Sequence, residues 1–332
     1  MSSSQVEMSD KTFDSVIPDL RVRLLNAQFD QRSTPAPAII LLGGEWRRAC
    51  EAAVDRLHEW LDARYLKTVF FGEPTREQRA RPRFWRYWMA LPGRGELALF
   101  FGGWPVTALA ERLDGTLDDA AFEARLARIR GFEETLVADG TRLIKIWIRS
   151  RCNGNGDERP RVENIGAVSD WPSEWKGTHA REHIDTLLSR TTCEAAPWHM
   201  IDAPGWKARE VAIGRVILEG LERRSLAMRG SAAVSAPAPE GTRLASVDLS
   251  RSLDHETYAR KLEKQQKKIT RLSRRAWDAR RTTVIVLEGW DAAGKGGAIR
   301  RLARAVPLRN IAIVPISAPS ELERAHHYLW RF

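Results

Sequence analysis

The chain has 332 residues, of which 43% are apolar and 29% are charged, and its formal net charge is +10. This composition excludes a disordered or fibrous chain, and at roughly 100–200 residues per domain the length predicts two domains. No apolar run approaches the roughly 18 residues of a membrane span, and the polar N-terminus lacks the pattern of a signal peptide, so we expect a cytoplasmic protein without membrane contact. The three cysteines are far apart and have no His or Cys at ligand spacing, which argues against disulfides and zinc.

The N-terminal part predicts alternating strands and helices after a tail over residues 1–19. Short apolar runs predict buried strands at residues 39–42, 68–71, 97–101 and 143–148, and helical spacing predicts helices at residues 49–64, 118–138 and 208–224. Such alternation is typical of an α/β fold, in which helices cover both faces of a parallel sheet. The expected first domain spans residues 20–224.

A predicted linker over residues 225–257 separates this domain from a second, which begins at residue 258. The linker is rich in Ala, Ser, Gly and Pro and has no helical period. The elements expected in residues 258–332 are a basic helix at 258–280, a strand at 283–287, a helix at 298–305 and a strand at 311–316.

The positive charge is concentrated in this last part of the chain. Residues 1–225 contain 33 basic and 33 acidic residues, whereas residues 226–332 contain 20 basic and 10 acidic ones. Within residues 260–281 alone, ten of 22 residues are basic. An anionic partner, such as a nucleotide, a nucleic acid or another polyanion, explains this concentration, and a solvated helix face explains it equally well.

The two parts of the chain repeat at a constant offset of 245 residues. Without a gap, residues 38–87 match residues 283–332 at 13 of 50 positions. This period is too long for a solenoid, so the pattern indicates a duplicated domain. The first copy continues to about residue 224, whereas the sequence stops at Phe332. We therefore expect the second copy to be incomplete and a polypeptide ending there to have little enzymatic activity.

A glycine-rich loop follows the first predicted strand of the second copy. Residues 289–297 have the sequence Gly-Trp-Asp-Ala-Ala-Gly-Lys-Gly-Gly and precede a helix. This is the context of a phosphate-binding loop, in which glycines turn backbone amides toward one phosphate and the helix N-terminus adds positive potential. Lys295 is expected to reach the β- and γ-phosphates. The predicted phosphate-binding residues are Gly289, Ala292, Ala293, Gly294, Lys295, Gly296, Gly297, Arg300 and Arg301, although an exposed helix face explains the two arginines equally well.

The loop departs from the general pattern at the position after its lysine. That position usually carries a Ser or Thr hydroxyl that holds Mg²⁺, and here it is Gly296. Asp291 is the nearest carboxylate, and we expect it to direct Mg²⁺, either directly or through water. Asp291 and Lys295 are thus the predicted catalytic residues, although Asp291 could instead only stabilise the turn.

The combination G-x-D-x-A-G-K-G-G resembles the polyphosphate kinase 2 family. Residues 298–302, 319–321 and 328–332 strengthen the match, and the basic helix resembles the tandem-domain branch of the family. The resemblance covers nearly all the chain from Leu20 onward. It implies a P-loop kinase fold, Mg²⁺ as cofactor, inorganic polyphosphate and AMP or ADP as substrates, and phosphoryl transfer from polyphosphate to AMP.

The first copy has lost the features that this chemistry needs. At the constant offset, the loop residues Asp291, Gly294, Lys295 and Gly296 correspond to Trp46, Ala49, Cys50 and Glu51. An indole obstructs a phosphate sterically, and a carboxylate repels it. The second acidic motif of the family aligns with residues 100–105, where Phe101 replaces the metal-binding aspartate and Gly102 replaces the arginine. We therefore predict that the first domain is not catalytic.

Two other functions stay open. One is a non-catalytic module that binds phosphate or serves in assembly. The other, an ATP-hydrolysing protein that binds nucleic acid, is less favoured because Gly296 offers no metal-binding hydroxyl, so nucleic acid is not the expected partner. Assembly of the chain with copies of itself also stays open.

Overall fold

The computed structural model describes residues 8–149, 175, 178–203, 205–223, 248, 250, 252–290, 293–306, 311, 313, 314, 316 and 318–332. The chain divides into two compact units. Unit 1 comprises Met1–Ala233 together with Pro319–Phe332, and unit 2 comprises Val234–Ala318. No helix within the described ranges combines the length and the apolar character needed to cross a membrane.

Unit 1 alternates strands with helices along the chain. Its strands are β1 (Ala38–Gly44), β2 (Leu66–Phe70), β3 (Leu97–Phe101), β4 (Arg142–Ile148) and β5 (Trp198–Ile201). Its helices are α1 (Asp10–Gln31), α2 (Arg47–Trp60), α3 (Arg76–Arg79), α4 (Trp85–Ala90), α5 (Trp104–Leu113), α6 (Asp119–Ala138), α7 (Thr178–Thr191), α8 (Gly205–Glu222) and α11 (Glu321–Ala325). Unit 2 contributes α9 (His255–Asp278) and α10 (Lys295–Ala303).

The strands of unit 1 form one parallel sheet with the order β2-β3-β1-β4-β5. All seven residues of β1 are buried. Because successive side chains of a strand point to opposite faces, both faces of the sheet are covered at β1. The predicted α/β fold is therefore confirmed, and its central strand ends at the glycines Gly43 and Gly44.

Helix α1 differs from the sequence expectation. It begins at Asp10, where the side chain of Ser9 accepts a hydrogen bond from the backbone N–H of Thr12. Phe13, Leu20 and Leu24 are buried in the core of unit 1, where their apolar surface stabilises the helix. The expected tail over residues 1–19 is thus wrong from residue 10 onward.

Unit 2 contains α9 and α10, and side chains of α9 bond to backbone carbonyls in α10 and just after it. Gln266 Nε2 donates to Arg301 O over 3.0 Å, and Thr270 Oγ1 donates to Ala305 O over 2.7 Å. Helix α9 confirms the predicted basic helix, and it begins earlier than expected because Asp254 caps it by accepting a hydrogen bond from the N–H of Thr257. The predicted linker 225–257 lies mostly outside the described residues, and its last three residues belong to α9.

The residues of unit 2 that the structure describes form neither of the two predicted strands. Residues 283–287 pair with no strand, and Val284 and Val286 are 80% and 73% exposed. The described residues of 311–316 are likewise outside any strand. In unit 1 the corresponding strand β1 lies between β3 and β4, which supply its hydrogen-bonded neighbours. Strand propensity alone does not hold a strand without hydrogen-bonded neighbours.

The sequence repeat is also visible in local hydrogen bonding within unit 1. Helices α3 and α11 each begin with a capping box, and in each an arginine Nε donates to the carbonyl of a nearby proline, over 2.9 Å and 3.1 Å. The corresponding residues are Pro74 and Pro319, Thr75 and Ser320, Gln78 and Glu323, and Arg79 and Arg324. Residues 245 positions apart thus make the same contacts.

Candidate phosphate-binding site

The predicted loop of residues 289–297 leads directly into α10. Gly294 precedes the helix with φ +86°, in the left-handed region that favours glycine. The first intrahelical bond runs from Ala298 N–H to Gly294 O over 3.0 Å, so the N–H groups of the preceding helical residues have no intrahelical acceptor. The helix starts at Lys295 rather than at the predicted residue 298. The prediction placed the start too late because two glycines, which disfavour helices, lie in the first turn. An anion can therefore approach free amides at the start of α10.

Among the residues that the structure describes, the face of the loop is open at Gly294 and Gly296. A Cβ atom built on either glycine would meet no described atom within 4 Å. At Gly297 a Cβ would lie 2.8 Å from Nη1 of Arg301, so this arginine lies against the first turn of the helix. The structure brings the predicted glycines, Lys295 and Arg301 together, with room in front of Gly294 and Gly296.

The side chain of Lys295 bonds back to the start of the loop. Its Nζ donates to Gly289 O over 2.7 Å and to Trp290 O over 2.6 Å. An ammonium group has three N–H donors, so one remains for a further acceptor. A charged phosphate oxygen is a stronger acceptor than a neutral carbonyl, and it can therefore replace these internal bonds.

The two predicted arginines differ in their surroundings. Arg301 Nε donates to the hydroxyl of Tyr258 over 2.5 Å, and its guanidinium lies 5.8 Å from the ring centroid of that tyrosine. Arg300 is exposed on α10. Helix α9 thus orients Arg301, whereas Arg300 is directed into solvent.

Asp291 and Ala292 lie outside the described residues, so their predicted roles are not tested. Within the described ranges, no three His, Cys, Asp or Glu side chains are grouped so that they could hold a metal ion. The Mg²⁺ site therefore stays a prediction, and we assign no step of the chemistry to it.

The corresponding loop of unit 1 is filled by the protein itself. Cys50 is fully buried, and a Cβ built on Gly44 would lie 2.7 Å from its Sγ. On the backbone of the loop, Trp175 Nε1 donates to Gly44 O over 3.0 Å, and Trp175 N–H donates to Glu45 O over 3.1 Å. Burial raises the pKa of the Cys50 thiol far above its ordinary value, which argues against a nucleophilic role.

The loop of unit 1 also carries a carboxylate, which is paired with an arginine. Glu51 occupies the position of Gly296, and Arg47 Nε lies 3.2 Å from its carboxylate. Burial raises the pKa of Glu51, and the positive charges of Arg47 and Arg48 oppose that shift. At the end of β3, Phe101 is fully buried where the family motif has an aspartate. These features support the prediction that unit 1 is not catalytic.

A buried charge cluster in unit 1 was not predicted from the sequence. Lys145 Nζ donates to Glu133 Oε2 and to Thr191 O, both over 2.7 Å, and the side chains of Lys145 and Glu133 are 0% and 1% exposed. Trp104 Nε1 donates to the other carboxylate oxygen of Glu133 over 2.8 Å. Burial raises the pKa of Glu133, and the bonds from Lys145 and Trp104 oppose the shift. A lysine between the apolar residues Leu143–Ile144 and Ile146–Ile148 was the sequence signal.

Comparison with known proteins identifies the family. The family model described as polyphosphate kinase 2 matches residues 7–229 and 252–332. A polyphosphate:AMP phosphotransferase from Pseudomonas aeruginosa is 33% identical over 336 residues, which cover 97% of this chain and 67% of that protein. One from Pseudomonas syringae is 34% identical over 344 residues, which cover 98% of this chain and 68% of that protein.

A solved structure gives the same result. The crystal structure of a polyphosphate kinase 2 from Pseudomonas aeruginosa aligns with a TM-score of 0.75 at 30% identity, and the alignment covers 98% of this chain and 65% of that one. The chain thus spans about two thirds of the length of these relatives. The parallel sheet and the glycine-rich loop define an α/β protein of the phosphate-loop class. Within that class, the chain belongs to the polyphosphate kinase 2 family.

Proposed function

We propose that this chain serves phosphoryl transfer from inorganic polyphosphate to AMP, which yields ADP. The observation that supports this proposal is the loop 289–297, whose lysine starts a helix and whose glycine face is open, in a chain of the polyphosphate kinase 2 family. Relatives that carry the name polyphosphate:AMP phosphotransferase match nearly the whole chain. We further propose a cytoplasmic location and a tandem arrangement of two related domains, of which the first is inert.

The proposed reaction exchanges one P–O bond for another. A phosphate oxygen of AMP attacks the terminal phosphorus of polyphosphate, and the bond between that phosphorus and its bridging oxygen breaks. The bonding electrons stay with the shortened polyphosphate, so the products are ADP and a chain with one phosphate fewer. The protein has to position both reactants and to neutralise charge on the moving phosphoryl group.

The residues of unit 2 suit this task. Lys295 supplies a positive charge at the loop, and the amides at the start of α10 supply oriented donors. Arg301, held by Tyr258, adds a second positive charge near the first turn. Bound Mg²⁺ would neutralise further phosphate charge, and Asp291 is the residue that we propose to direct it.

One observation favours a second candidate function, a module that binds polyphosphate without turning it over. Residues 283–287, which precede the loop, are outside any sheet and are largely exposed. Binding needs only the loop amides and Lys295, whereas transfer also needs a rigid support that aligns donor and acceptor.

An assay of ADP formation distinguishes the two candidates. The purified chain is incubated with polyphosphate, AMP and MgCl₂, and ADP is quantified by chromatography. Transfer predicts ADP formation, in contrast to the low activity expected of an incomplete second copy. Lys295→Ala should then lower the rate by about 10²–10³-fold, the loss typical of one such charge-stabilising group, and Cys50→Ala should leave it unchanged. Lys295-dependent polyphosphate binding without ADP would support the binding module. If the chain neither forms ADP nor binds polyphosphate through Lys295, both candidate functions are contradicted.

A further inference from the structure

Unit 1 carries a cluster of arginines immediately after β2. Residues 74–94 contain six arginines and a single acidic residue, Glu77, although residues 1–225 as a whole are electrically neutral. Five of these arginines are exposed, and we call the four that lie within residues 76–83 the arginine patch: Arg76, Arg79, Arg81 and Arg83. This local excess of positive charge contrasts with the charge balance of residues 1–225.

The patch is only partly neutralised by its neighbours. Arg83 pairs with Glu111, which also binds Arg125. Arg81 lies 3.4 Å from Glu77 and 5.0 Å from the ring centroid of Trp85. Arg76 has no ion pair or hydrogen bond from its side chain to any part of the chain that the structure describes. Exposed pairs of this kind contribute little, so the guanidinium groups stay available to a stronger anion.

The internal repeat shows that the local fold does not require this charge. Arg79 and its counterpart Arg324 make the same bond to a proline carbonyl, so this arginine has a structural role. The other three members of the patch have counterparts without a permanent positive charge: Glu321 for Arg76, His326 for Arg81 and Tyr328 for Arg83. Helix α11 nevertheless forms with the same capping box as α3.

The position of the patch also points to a ligand. It follows the carboxyl end of β2, and ligands of open α/β sheets bind outside the carboxyl ends of the strands. At the same edge, the loop after β1 is filled by Cys50 and covered by Trp175, so it offers no phosphate site of its own. The arginine patch is therefore the main positive feature that an anion would meet beside β2.

We propose that the arginine patch binds the polyphosphate chain and so makes unit 1 a docking domain for the polymer. The proposal rests on the proposed function, because it takes polyphosphate as the substrate. Guanidinium groups bind phosphate oxygens in a bidentate manner, and a flexible polymer with charge on every phosphate can contact several arginines at once. Several weak contacts on one polymer add to a firm attachment, so the patch selects long chains over short ones.

A titration of the full 332-residue chain tests this proposal. The probe is fluorescently labelled long-chain polyphosphate, and the test variant is Arg76→Gln/Arg81→Gln. The matched control is Arg128→Gln/Arg215→Gln, which removes the same charge from exposed positions of α6 and α8. We expect the test variant to raise Kd about tenfold and to lower the salt dependence of binding, because phosphate contacts are lost, whereas the control changes Kd less than about twofold. Unchanged thermal unfolding of both variants verifies that they are folded.

Three results would overturn the proposal. The first is that the test and control variants raise Kd for polyphosphate equally, and the second is that the test variant weakens the binding of long-chain polyphosphate and of tripolyphosphate equally. The third is that single-stranded nucleic acid binds the patch more strongly than polyphosphate does. A failure of the proposed function is recognised separately, since it would abolish Lys295-dependent ADP formation and leave the binding at the patch intact.

Discussion

The buried pair of Lys145 and Glu133 leads to a quantitative prediction about unit 1. Glu133 accepts bonds from Lys145 Nζ and Trp104 Nε1. In Lys145→Met the bond from Lys145 is lost, and the carboxylate remains buried with the bond from Trp104. Removing one partner of a buried ion pair costs about 3–5 kcal/mol of unfolding free energy, because the other charge is left uncompensated. We therefore expect Lys145→Met to lower the stability of unit 1 by about this amount.

The double variant Glu133→Gln/Lys145→Met provides the control for this prediction. The glutamine carbonyl can still accept the bond from Trp104, and no buried charge remains. We expect the double variant to recover at least half of the lost stability. The measurement is urea unfolding of the full chain, followed by tryptophan fluorescence.

The pH dependence of Lys145→Met has a definite sign. Burial raises the pKa of Glu133, and Lys145 opposes that rise, so removing Lys145 raises the pKa further. A carboxyl group whose pKa is higher in the folded than in the unfolded chain takes up a proton on folding, so its penalty decreases as the pH falls through the raised pKa. The stability difference from the unmodified chain should therefore be smaller at acidic than at neutral pH. A loss below about 1 kcal/mol, or a double variant no better than the single one, would refute this reasoning.

Three further predictions concern other parts of the molecule. Cys50→Lys should not create a phosphate site in unit 1 but should lower the melting temperature of the chain, because burying an ammonium group at this position is costly. Calorimetry measures the melting temperature, with Cys50→Ser as control. Val284→Lys/Val286→Lys should reduce concentration-dependent association in light scattering without lowering the melting temperature, because both valines are exposed. The bond from Thr257 N–H lowers the pKa of Asp254, so the first turn of α9 should loosen as the pH falls through that lowered pKa. Backbone chemical shifts should report this change in the unmodified chain and not in Asp254→Asn, which keeps an uncharged cap.

The sheet of unit 1 was largely predictable, because buried parallel strands are continuous apolar runs bounded by turns. The predicted strand 97–101 coincides with β3, and 39–42 lies within β1. Helix α1 was missed, since it contains Pro18 and mixes charged with apolar residues, although Leu20 and Leu24 have the helical spacing of a buried face.

The errors in unit 2 have a different physical origin. Residues 283–287 have the β-branched composition of a strand, but a strand depends on neighbours that are distant in the sequence, and local patterns do not report whether these exist. The loop itself was found, because its glycines and lysine carry the signal locally. The contact between Lys145 and Glu133 could not be predicted, since it joins a strand to a helix through the tertiary fold.

We expect phosphate to bind at the loop of unit 2 and not at its counterpart in unit 1. The most direct test is a calorimetric titration of the full chain with tripolyphosphate, in the unmodified form and as Lys295→Ala and Cys50→Ala. We expect Lys295→Ala to weaken binding at least about tenfold, as the loss of one charge-assisted bond requires, and Cys50→Ala to leave it unchanged. An unchanged tripolyphosphate affinity in Lys295→Ala, or a loss of affinity in Cys50→Ala, would contradict this assignment.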